Sequence, residues 1–176
     1  MMKNDIVIKT ERLTLVPLGT QFIDSTFRYA TDPANTGFMV HMPKASREEV
    51  SEFLEYAENE WNKETPSFYE FAVLFDNDHI GSVSVYFNDS FDSGEIGYII
   101  DKNYHNRGFA YESAKSVIDM CATNGIKSFT AHCDSENFAS IRVLEKLGME
   151  FVSSKFGRKN RSSDEIRTEN SYKLDL

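Results

Sequence analysis

Long apolar segments are missing from this sequence of 176 residues. Its apolar runs are short, as at residues 98–100, whereas a membrane-spanning helix needs roughly 18–20 apolar residues. The first ten residues include Lys3, Asp5 and Lys9 and therefore lack the uninterrupted apolar stretch of a signal peptide. These absences predict a soluble, cytoplasmic protein with no membrane partner.

Basic charge is also scarce, with 19 lysines and arginines against 28 aspartates and glutamates and a formal net charge of −9. A protein that binds nucleic acid broadly needs a basic face, so this balance argues against nucleic acid as a partner. An acidic field instead favours a cationic or amine-bearing partner.

Cysteine is rare, and the only two, Cys121 and Cys133, form no CxxC motif and fit no disulfide framework. Each falls on the inward face of a predicted element, so we expect two reduced core residues. The four histidines have no spacing like that of HExxH, and we therefore predict no metal site.

The sequence does contain a clear alternation of strand and helix patterns. The first strand covers residues 12–18. A helix that Thr20 can cap follows it and stops at Asp32-Pro33, because a residue before proline is pushed out of the helical region. Ser46 and Glu49 form a capping box, which predicts the start of a second helix.

The rest of the chain continues this alternation without a repeat or a linker. Predicted strands lie at 71–75, 80–87, 95–100, 129–133, 149–156 and 168–174, and predicted helices at 110–121 and 141–147. The polar segment from Gly157 to Arg167 is predicted to be a mobile loop. We therefore expect a single α/β (α+β) domain over residues 1–176, with a largely antiparallel sheet.

The stretch at residues 104–110 lies between a predicted strand and a predicted helix. A loop that opens directly into a helix presents unpaired N–H groups and the positive end of the helix dipole, which together suit a pyrophosphate. Gly108 removes the side chain where the backbone would approach the phosphates, and Arg107 adds positive charge. An ordinary strand-to-helix turn is the alternative. The Walker and GxGxxG patterns are both missing, which disfavours nucleotide hydrolysis.

A second informative stretch lies at residues 137–149. Asn137 and Ser140 are three residues apart at the start of a predicted helix, so both can face one side of its first turn. Helix capping by Asn137 with a solvent-facing Ser140 is the alternative.

Taken in this order, the two stretches resemble the motifs of the GNAT acetyltransferase superfamily. The superfamily's acetyl-CoA loop reads Q/R-x-x-G-x-G/A, which residues 105–110 match except at His105. Residues 95–98 resemble the family's central strand, and residues 137–149 resemble its N-x-x-S…L-E-K-x-G-F segment. The opening at residues 10–15 is similar to that of the RimJ/RimL branch.

The resemblance implies a GNAT fold, which is a mixed, largely antiparallel and splayed sheet of about seven strands flanked by about four helices. It also implies acetyl-CoA as co-substrate, with the pantetheine arm between the strands at 95–100 and 129–134. The residues then expected to contact acetyl-CoA are Tyr98, Ile99 and Ile100 through their backbones, the loop residues His105, Asn106, Arg107, Gly108, Phe109 and Ala110, and Asn137 and Ser140.

Acetyl transfer to an amine needs a base, because a free amine and not an ammonium attacks the thioester. Glu95 is the expected base, acting through water, and an ordinary exposed strand carboxylate is the alternative reading. Ser140 is the expected donor to the departing thiolate, since Leu144 stands where some superfamily members have a tyrosine. A cofactor contact without a proton role is the alternative for Ser140.

Glu70, Asp134 and Glu136 are substitute candidates for the base or for binding a cationic substrate, and solvated carboxylates are the alternative. Residues 38–42 are expected to shape the acceptor pocket or to pack in the core.

We therefore expect an N-acetyltransferase that acts by direct transfer in a ternary complex. Its acceptor is a primary amine, either a protein N-terminus such as that of a ribosomal protein or a small amine. A non-catalytic acyl-CoA-binding sensor or scaffold is the alternative, and the resemblance allows a homodimer.

Overall fold

The computed structural model describes residues 6–176, which form eight strands and five α-helices. The strands are β1 (Ile8–Lys9), β2 (Leu13–Pro17), β3 (Phe68–Phe75), β4 (Asp78–Phe87), β5 (Ser93–Ile100), β6 (Ser128–Asp134), β7 (Glu150–Lys159) and β8 (Ile166–Asp175). The helices are α1 (Ile23–Ala30), α2 (Pro33–Thr36), α3 (Arg47–Asn62), α4 (Phe109–Thr123) and α5 (Phe138–Lys146). None of these helices is long and apolar enough to cross a membrane. The sequence prediction that used Lys3 and Asp5 lies outside the described residues.

The eight described strands form one sheet in the order β1-β2-β3-β4-β5-β6-β8-β7. Neighbouring strands are antiparallel except β5 and β6, which run parallel. The predicted α/β fold with a mixed, largely antiparallel sheet is thus confirmed. The elements beyond the predicted number are short, since β1 has two residues and α2 has four.

The parallel pair β5 and β6 opens into a gap. The two strands pair only where Ser93–Glu95 faces Ser128–Thr130. Beyond Glu95 strand β5 keeps its pairing with β4 as far as Ile100, while β6 continues beside β8 instead. This is the predicted splay, and it leaves the backbone edge of β5 beyond Glu95 unpaired on the β6 side.

Helices cover both faces of the sheet. On one face α4 packs on the larger core, in which Val83, Val117 and Phe129 are fully buried. On the other face Leu54 of α3 packs with Leu18 in a second cluster. The two faces of the sheet on either side of the splay between β5 and β6 therefore carry different side chains.

Both cysteines are free and buried, which confirms their prediction as reduced core residues. Burial raises the pKa of the Cys121 thiol to about 12 and that of the Cys133 thiol to about 11. Both side chains are therefore uncharged packing groups at neutral pH.

The starts of the first two predicted helices differ in detail from the sequence prediction. Thr20 does not cap α1 but begins a short 3-10 turn, and its hydroxyl donates to Glu58 (2.9 Å). Ser46 caps α3 as predicted and accepts from the Glu49 amide at 3.3 Å. The carboxylate of Glu49 accepts from the Ala45 amide (2.6 Å), one residue before the position that a capping box uses.

The prediction of a mobile loop from Gly157 to Arg167 is wrong about its extent. Strand β7 continues to Lys159 and β8 begins at Ile166, so the connection covers only residues 160–165. The polar composition misled the sequence reading because the basic side chains have distant acidic partners. Arg158, for example, forms an ion pair with Glu169 across the hairpin (2.6 Å).

Candidate active site

The loop between β5 and α4 has the geometry of an anion-binding site. Asn106 and Gly108 both have positive φ, 61° and 81°, and the chain enters α4 directly afterwards at Phe109. The first N–H groups of a helix have no partner inside it, so those of α4 open toward the end of the loop. Gly108 adopts its left-handed conformation at little cost because it has no Cβ.

Arg12 holds this loop against the first turn of α4. Its Nη1 donates to the carbonyl oxygen of Arg107 (3.0 Å), and its Nε donates to a carboxylate oxygen of Glu112 (2.8 Å). Thr10 donates to the other oxygen of Glu112 (2.6 Å). Burial opposes ionisation of Glu112, but the hydrogen bonds from Thr10 and Arg12 outweigh it and hold the pKa of Glu112 below its ordinary value. Sequence reasoning treated residues 10–15 only as a family signature and missed this contact.

Arg107 and His105 occupy different places in the loop. The guanidinium of Arg107 lies 4.5 Å from the ring centroid of Phe75 and 4.8 Å from that of Phe109. Its positive charge therefore stays beside the start of α4. Nε2 of His105 donates to the carbonyl oxygen of Ile100 (2.7 Å), which ties the loop to the end of β5. This ring nitrogen is thus already occupied, and Nδ1 is the one that remains for a ligand.

Asn137 and Ser140 meet at the start of α5 on the other side of the splay. The side-chain oxygen of Asn137 accepts from the Ser140 amide (3.1 Å), so Asn137 is the N-cap of α5. The side-chain amide nitrogen of Asn137 is not used in this cap. Asn137 can therefore cap the helix and still offer a donor to a ligand in the splay.

The hydroxyl of Ser140 has an unexpected neighbour. It lies 2.9 Å from the phenol oxygen of Tyr98, which also lies 3.2 Å from the Ser140 carbonyl oxygen. Burial raises the pKa of Tyr98, against the effect of its hydrogen bond with Ser140, and keeps the phenol protonated. Sequence reasoning considered only the backbone of Tyr98. Tyr98 shares one face of the strand with Ile96 and Ile100, and this alternation was the available signal that its side chain faces the layer of α4 and α5.

Glu95 lies on the opposite face of β5. It is the last residue of β5 that pairs with β6, and its side chain is 54% exposed. Residues 95, 97 and 99 share this face, and Ile99 packs there with Tyr29 and Met42. Glu95 and Tyr98 therefore reach the splay from opposite sides of the sheet.

His132 stands beside Glu95 across the splay and was missed by the sequence reading. Its Nε2 lies 3.9 Å from a carboxylate oxygen of Glu95. Its Nδ1 lies 2.9 Å from the Ser171 hydroxyl and 3.9 Å from a carboxylate oxygen of Glu169. No local motif marks this histidine, because its partners come from β5 and β8.

The three substitute carboxylates differ in their surroundings. Glu70 is buried in the sheet, and burial raises its pKa to about 7, against the effect of a hydrogen bond with Ser82. Asp134 accepts from Arg167 (2.6 Å), and Arg167 also pairs with Glu136 (2.6 Å). Burial opposes ionisation of Asp134, but the bonds it accepts outweigh burial and lower its pKa. Of Glu70 and Asp134, Glu70 is therefore the one whose carboxyl group can gain and lose a proton near neutral pH.

The segment at residues 38–42 lies over the same face as Glu95. Met42 is buried there against Ile99, while Phe38 keeps 39% of its surface exposed. The β7–β8 hairpin fixes this segment from outside. Arg158 donates to the Phe38 carbonyl oxygen (2.9 Å), and the Arg161 amide donates to the Met39 carbonyl oxygen (2.9 Å).

A family comparison agrees with this geometry. Residues 12–150 match the model of a family described as the acetyltransferase (GNAT) domain. The chain belongs to the GNAT acetyltransferase family, as the sequence motifs predicted. It is an N-acetyltransferase, and acetyl-CoA is the acetyl donor of GNAT acetyltransferases.

Two bacterial proteins named as N-acetyltransferases are similar to most of this chain. The N-acetyltransferase YnaD of Bacillus subtilis is 26% identical over 150 residues, which cover 81% of each chain. The N-acetyltransferase p20 of Bacillus licheniformis is 25% identical over 143 residues, which cover 80% of each chain.

Two solved structures share the fold along nearly the whole chain. RimL, a ribosomal L7/L12 α-N-protein acetyltransferase in complex with coenzyme A, superimposes with a TM-score of 0.85 at 16% identity and covers 97% of this chain and 98% of its own. A GNAT-family acetyltransferase from Bacillus anthracis superimposes with a TM-score of 0.81 at 21% identity, and the match covers 97% of this chain and 98% of the other. At such identities the similarity establishes the fold.

Proposed function

We propose that this enzyme transfers the acetyl group of acetyl-CoA to a primary amine by direct attack in a ternary complex. The observation that carries the proposal is the splay between β5 and β6, which ends beside the anion-binding start of α4. The unpaired backbone edge at Tyr98, Ile99 and Ile100 would pair with the pantetheine arm. The loop at residues 105–110 would hold the pyrophosphate, and Asn137 and Ser140 would contact the arm from α5.

The proton-handling groups lie on opposite sides of this gap. Glu95 would take a proton from the amine, through water, on the face that residues 38–42 cover. Ser140 would protonate the departing thiolate on the other face. The phenol of Tyr98, 2.9 Å from the Ser140 hydroxyl, can then return a proton to Ser140. Separate faces for the entering amine and the leaving thiolate suit a direct displacement at the thioester carbon.

The acceptor would be the N-terminus of a protein or a small amine. The exposed Phe38 and the carboxylate of Glu95 offer an apolar wall and a negative group on one face, which suit an amine attached to a side chain or a peptide. The similarity to RimL, which acts on a ribosomal protein, favours a peptide N-terminus. The net charge of −9 favours a cationic acceptor over an anionic one.

A thiol-release assay tests the proposal. Acetyl-CoA is incubated with the enzyme and with a panel that includes an N-terminal serine peptide, an N-terminal alanine peptide, spermidine, lysine and kanamycin. We expect amine-dependent release of coenzyme A with at least one member. Acetyl-CoA binding without thiol release for any amine would contradict catalysis and would favour the acyl-CoA sensor instead.

Substitutions at the two proposed proton-handling residues should separate their roles. Glu95→Gln keeps the shape and removes the carboxylate, so kcat should fall by roughly 10²–10⁴-fold at neutral pH. This loss should shrink as pH rises, because more of the amine is then deprotonated in solution. Ser140→Ala should cause a smaller loss that depends weakly on pH. An unchanged rate in Glu95→Gln would reject Glu95, and Glu70 would be the next residue to test.

A further inference from the structure

His132 lies where the mechanism above needs a proton acceptor. It is on β6, immediately beyond the last residues that pair with β5, and it faces Glu95 across the start of the splay. Its side chain is 34% exposed, so it is open to the gap and still held by neighbouring groups. The site in the proposed function uses no residue of β6.

The imidazole is held on both sides. Nδ1 lies 2.9 Å from the Ser171 hydroxyl on β8, and Nε2 points toward Glu95 at 3.9 Å. When Nδ1–H donates to Ser171, the lone pair of Nε2 faces the gap and can accept a proton. In that tautomer Ser171 holds Nδ1–H, and Nε2 is directed at the space beside Glu95.

We propose that His132 and Glu95 act together as the base of the reaction, with Nε2 of His132 as the atom that receives the amine proton. The inference rests on the proposed function and deepens it at the same site. An imidazole ordinarily titrates near pH 6.5 and a carboxylate near pH 4, so the imidazole is better matched to proton removal at neutral pH. The carboxylate then stabilises the imidazolium.

Two carboxylates face His132 from neighbouring strands. Glu95 faces it from β5 and Glu169 faces it from β8, each 3.9 Å from a ring nitrogen. Arg158 of β7 pairs with Glu169 (2.6 Å) and offsets part of its charge. Two lysines also lie on the strands of the hairpin. Lys155 is opposite Glu169, and Lys173 pairs with Asp175.

The proton balance of the step is complete. The acceptor ammonium gives one proton to Nε2 of His132, and its nitrogen then forms the new C–N bond as the C–S bond of acetyl-CoA breaks. The nitrogen loses its second proton to water, the thiolate takes a proton from Ser140, and Ser140 regains one from water through the phenol of Tyr98. The products are the acetylated amine, coenzyme A as the thiol, and an imidazolium that returns its proton to water.

Two measurements test the proposal, and the first needs no acceptor. The chemical shifts of the His132 ring are measured by NMR in the wild type, in Glu95→Gln and in Glu169→Gln, with Glu150→Gln as the control because it removes the same charge from an exposed site on β7. We expect the His132 ring resonances to move in Glu95→Gln and in Glu169→Gln and to stay in place in Glu150→Gln. Ring resonances that are the same in all four proteins would overturn the pairing.

The second measurement is the pH profile of kcat/KM for His132→Gln, with whichever panel amine the wild type acetylates fastest. We expect a loss of roughly 10²-fold at pH 7. Acetyl-CoA should raise the Tm of this variant as much as it raises that of the wild type, because a ligand that binds only the folded state stabilises it. The double variant with Glu95→Gln should be about as slow as the slower single variant, because the two residues act as one unit.

The outcomes separate the two proposals. An active wild type with His132→Gln at the same rate and with the same pH profile overturns the role of His132 alone. No thiol release by the wild type with any panel amine overturns the proposed function itself. If His132→Gln does not fold, the NMR comparison decides.

Discussion

Glu70 is a buried residue whose protonation links the stability of this protein to pH. It lies on β3 in register with Ser84 of β4, and its side chain is only 5% exposed. Burial raises its pKa from the ordinary 4.5 to about 7, while Ser82 opposes the shift by hydrogen bonding. The folded protein therefore favours the neutral carboxyl group.

The stability consequence of Glu70 has a definite sign. Because the folded pKa is raised, the contribution of the neutral group is fully present below about pH 4.5 and is lost as pH rises through about 7. Glu70→Gln should therefore match the wild type near pH 4.5 and exceed it above pH 7, by about 2–3 kcal/mol in the free energy of unfolding.

Chemical denaturation at several pH values measures this difference. Glu52→Gln, at an exposed position of α3, is the matched control and should show no such pH-dependent gain. A constant difference between Glu70→Gln and the wild type from pH 4.5 to 8 would contradict the account of Glu70.

The residue scale also shows what the sequence could predict. Residues in local motifs, such as Gly108 and Asn137, lie at the positions that their spacing indicated. The sequence did not indicate His132 or the side chain of Tyr98, because the interpretation of each depends on a contact with another element. Tyr98 meets Ser140 across 42 residues of sequence, and His132 meets Ser171 across 39. Such pairings depend on the register of the sheet, and a local sequence pattern does not specify that register.

At the scale of elements, α4 is bounded by two glycines with similar backbone conformation. Gly108 before α4 has φ of 81°, and Gly125 after it has φ of 97°. A Cβ added at Gly125 would meet no atom within 4 Å, and one added at Gly108 would lie 3.4 Å from a nitrogen of Arg12. The pair therefore separates the cost of a left-handed residue from the loss of a ligand site.

Gly108→Ala and Gly125→Ala should consequently behave differently toward acetyl-CoA. Each should lower Tm, because alanine in the left-handed region costs about 1 kcal/mol. Only Gly108→Ala should weaken acetyl-CoA binding, by tenfold or more, since its Cβ lies at the expected phosphate approach. Calorimetric titration of both variants checks this, and equal affinities would place the phosphates away from the start of α4.

The β7–β8 hairpin contacts the face of the sheet on which we propose that the acceptor amine binds. Its tip contacts residues 38–42 through the Arg161 amide and through Nη1 of Arg161, which donates to the His41 carbonyl oxygen at 3.5 Å. The Arg161 side chain also pairs with Glu49 at the start of α3. The sequence reading took this tip as a mobile loop because polar composition alone does not reveal ion pairs to distant elements. The hairpin should thus influence the acceptor and not the acetyl donor.

Arg161→Ala should accordingly raise the KM of the acceptor amine several-fold and leave the Kd of acetyl-CoA unchanged. Lys159→Ala, an exposed cation at the end of β7, is the matched control and should change neither constant. Steady-state kinetics of the two variants give the comparison. A change in acetyl-CoA affinity with an unchanged acceptor KM would show that the hairpin serves the other side.

At the scale of the whole molecule, the sheet separates the two groups of residues to which we assign the proton transfers. The larger core carries α4, α5 and the Tyr98–Ser140 contact, whereas the opposite face carries Glu95, His132 and the segment at 38–42. The order of elements along the chain predicted a largely antiparallel sheet, and the resemblance to the GNAT superfamily implied the mixed sheet and its splay. It did not predict which side chains would meet across the splay, because that depends on the single parallel pairing of β5 with β6.

The central claim is that acetyl-CoA binds along the unpaired edge of β5 and at the start of α4. Hydrogen–deuterium exchange with and without acetyl-CoA, read by mass spectrometry, tests it most directly. We predict slower exchange in peptides that cover residues 96–100, 105–111 and 137–140, with little change in the β7–β8 hairpin. Binding of acetyl-CoA without protection of residues 96–100 and 105–111 would contradict the account.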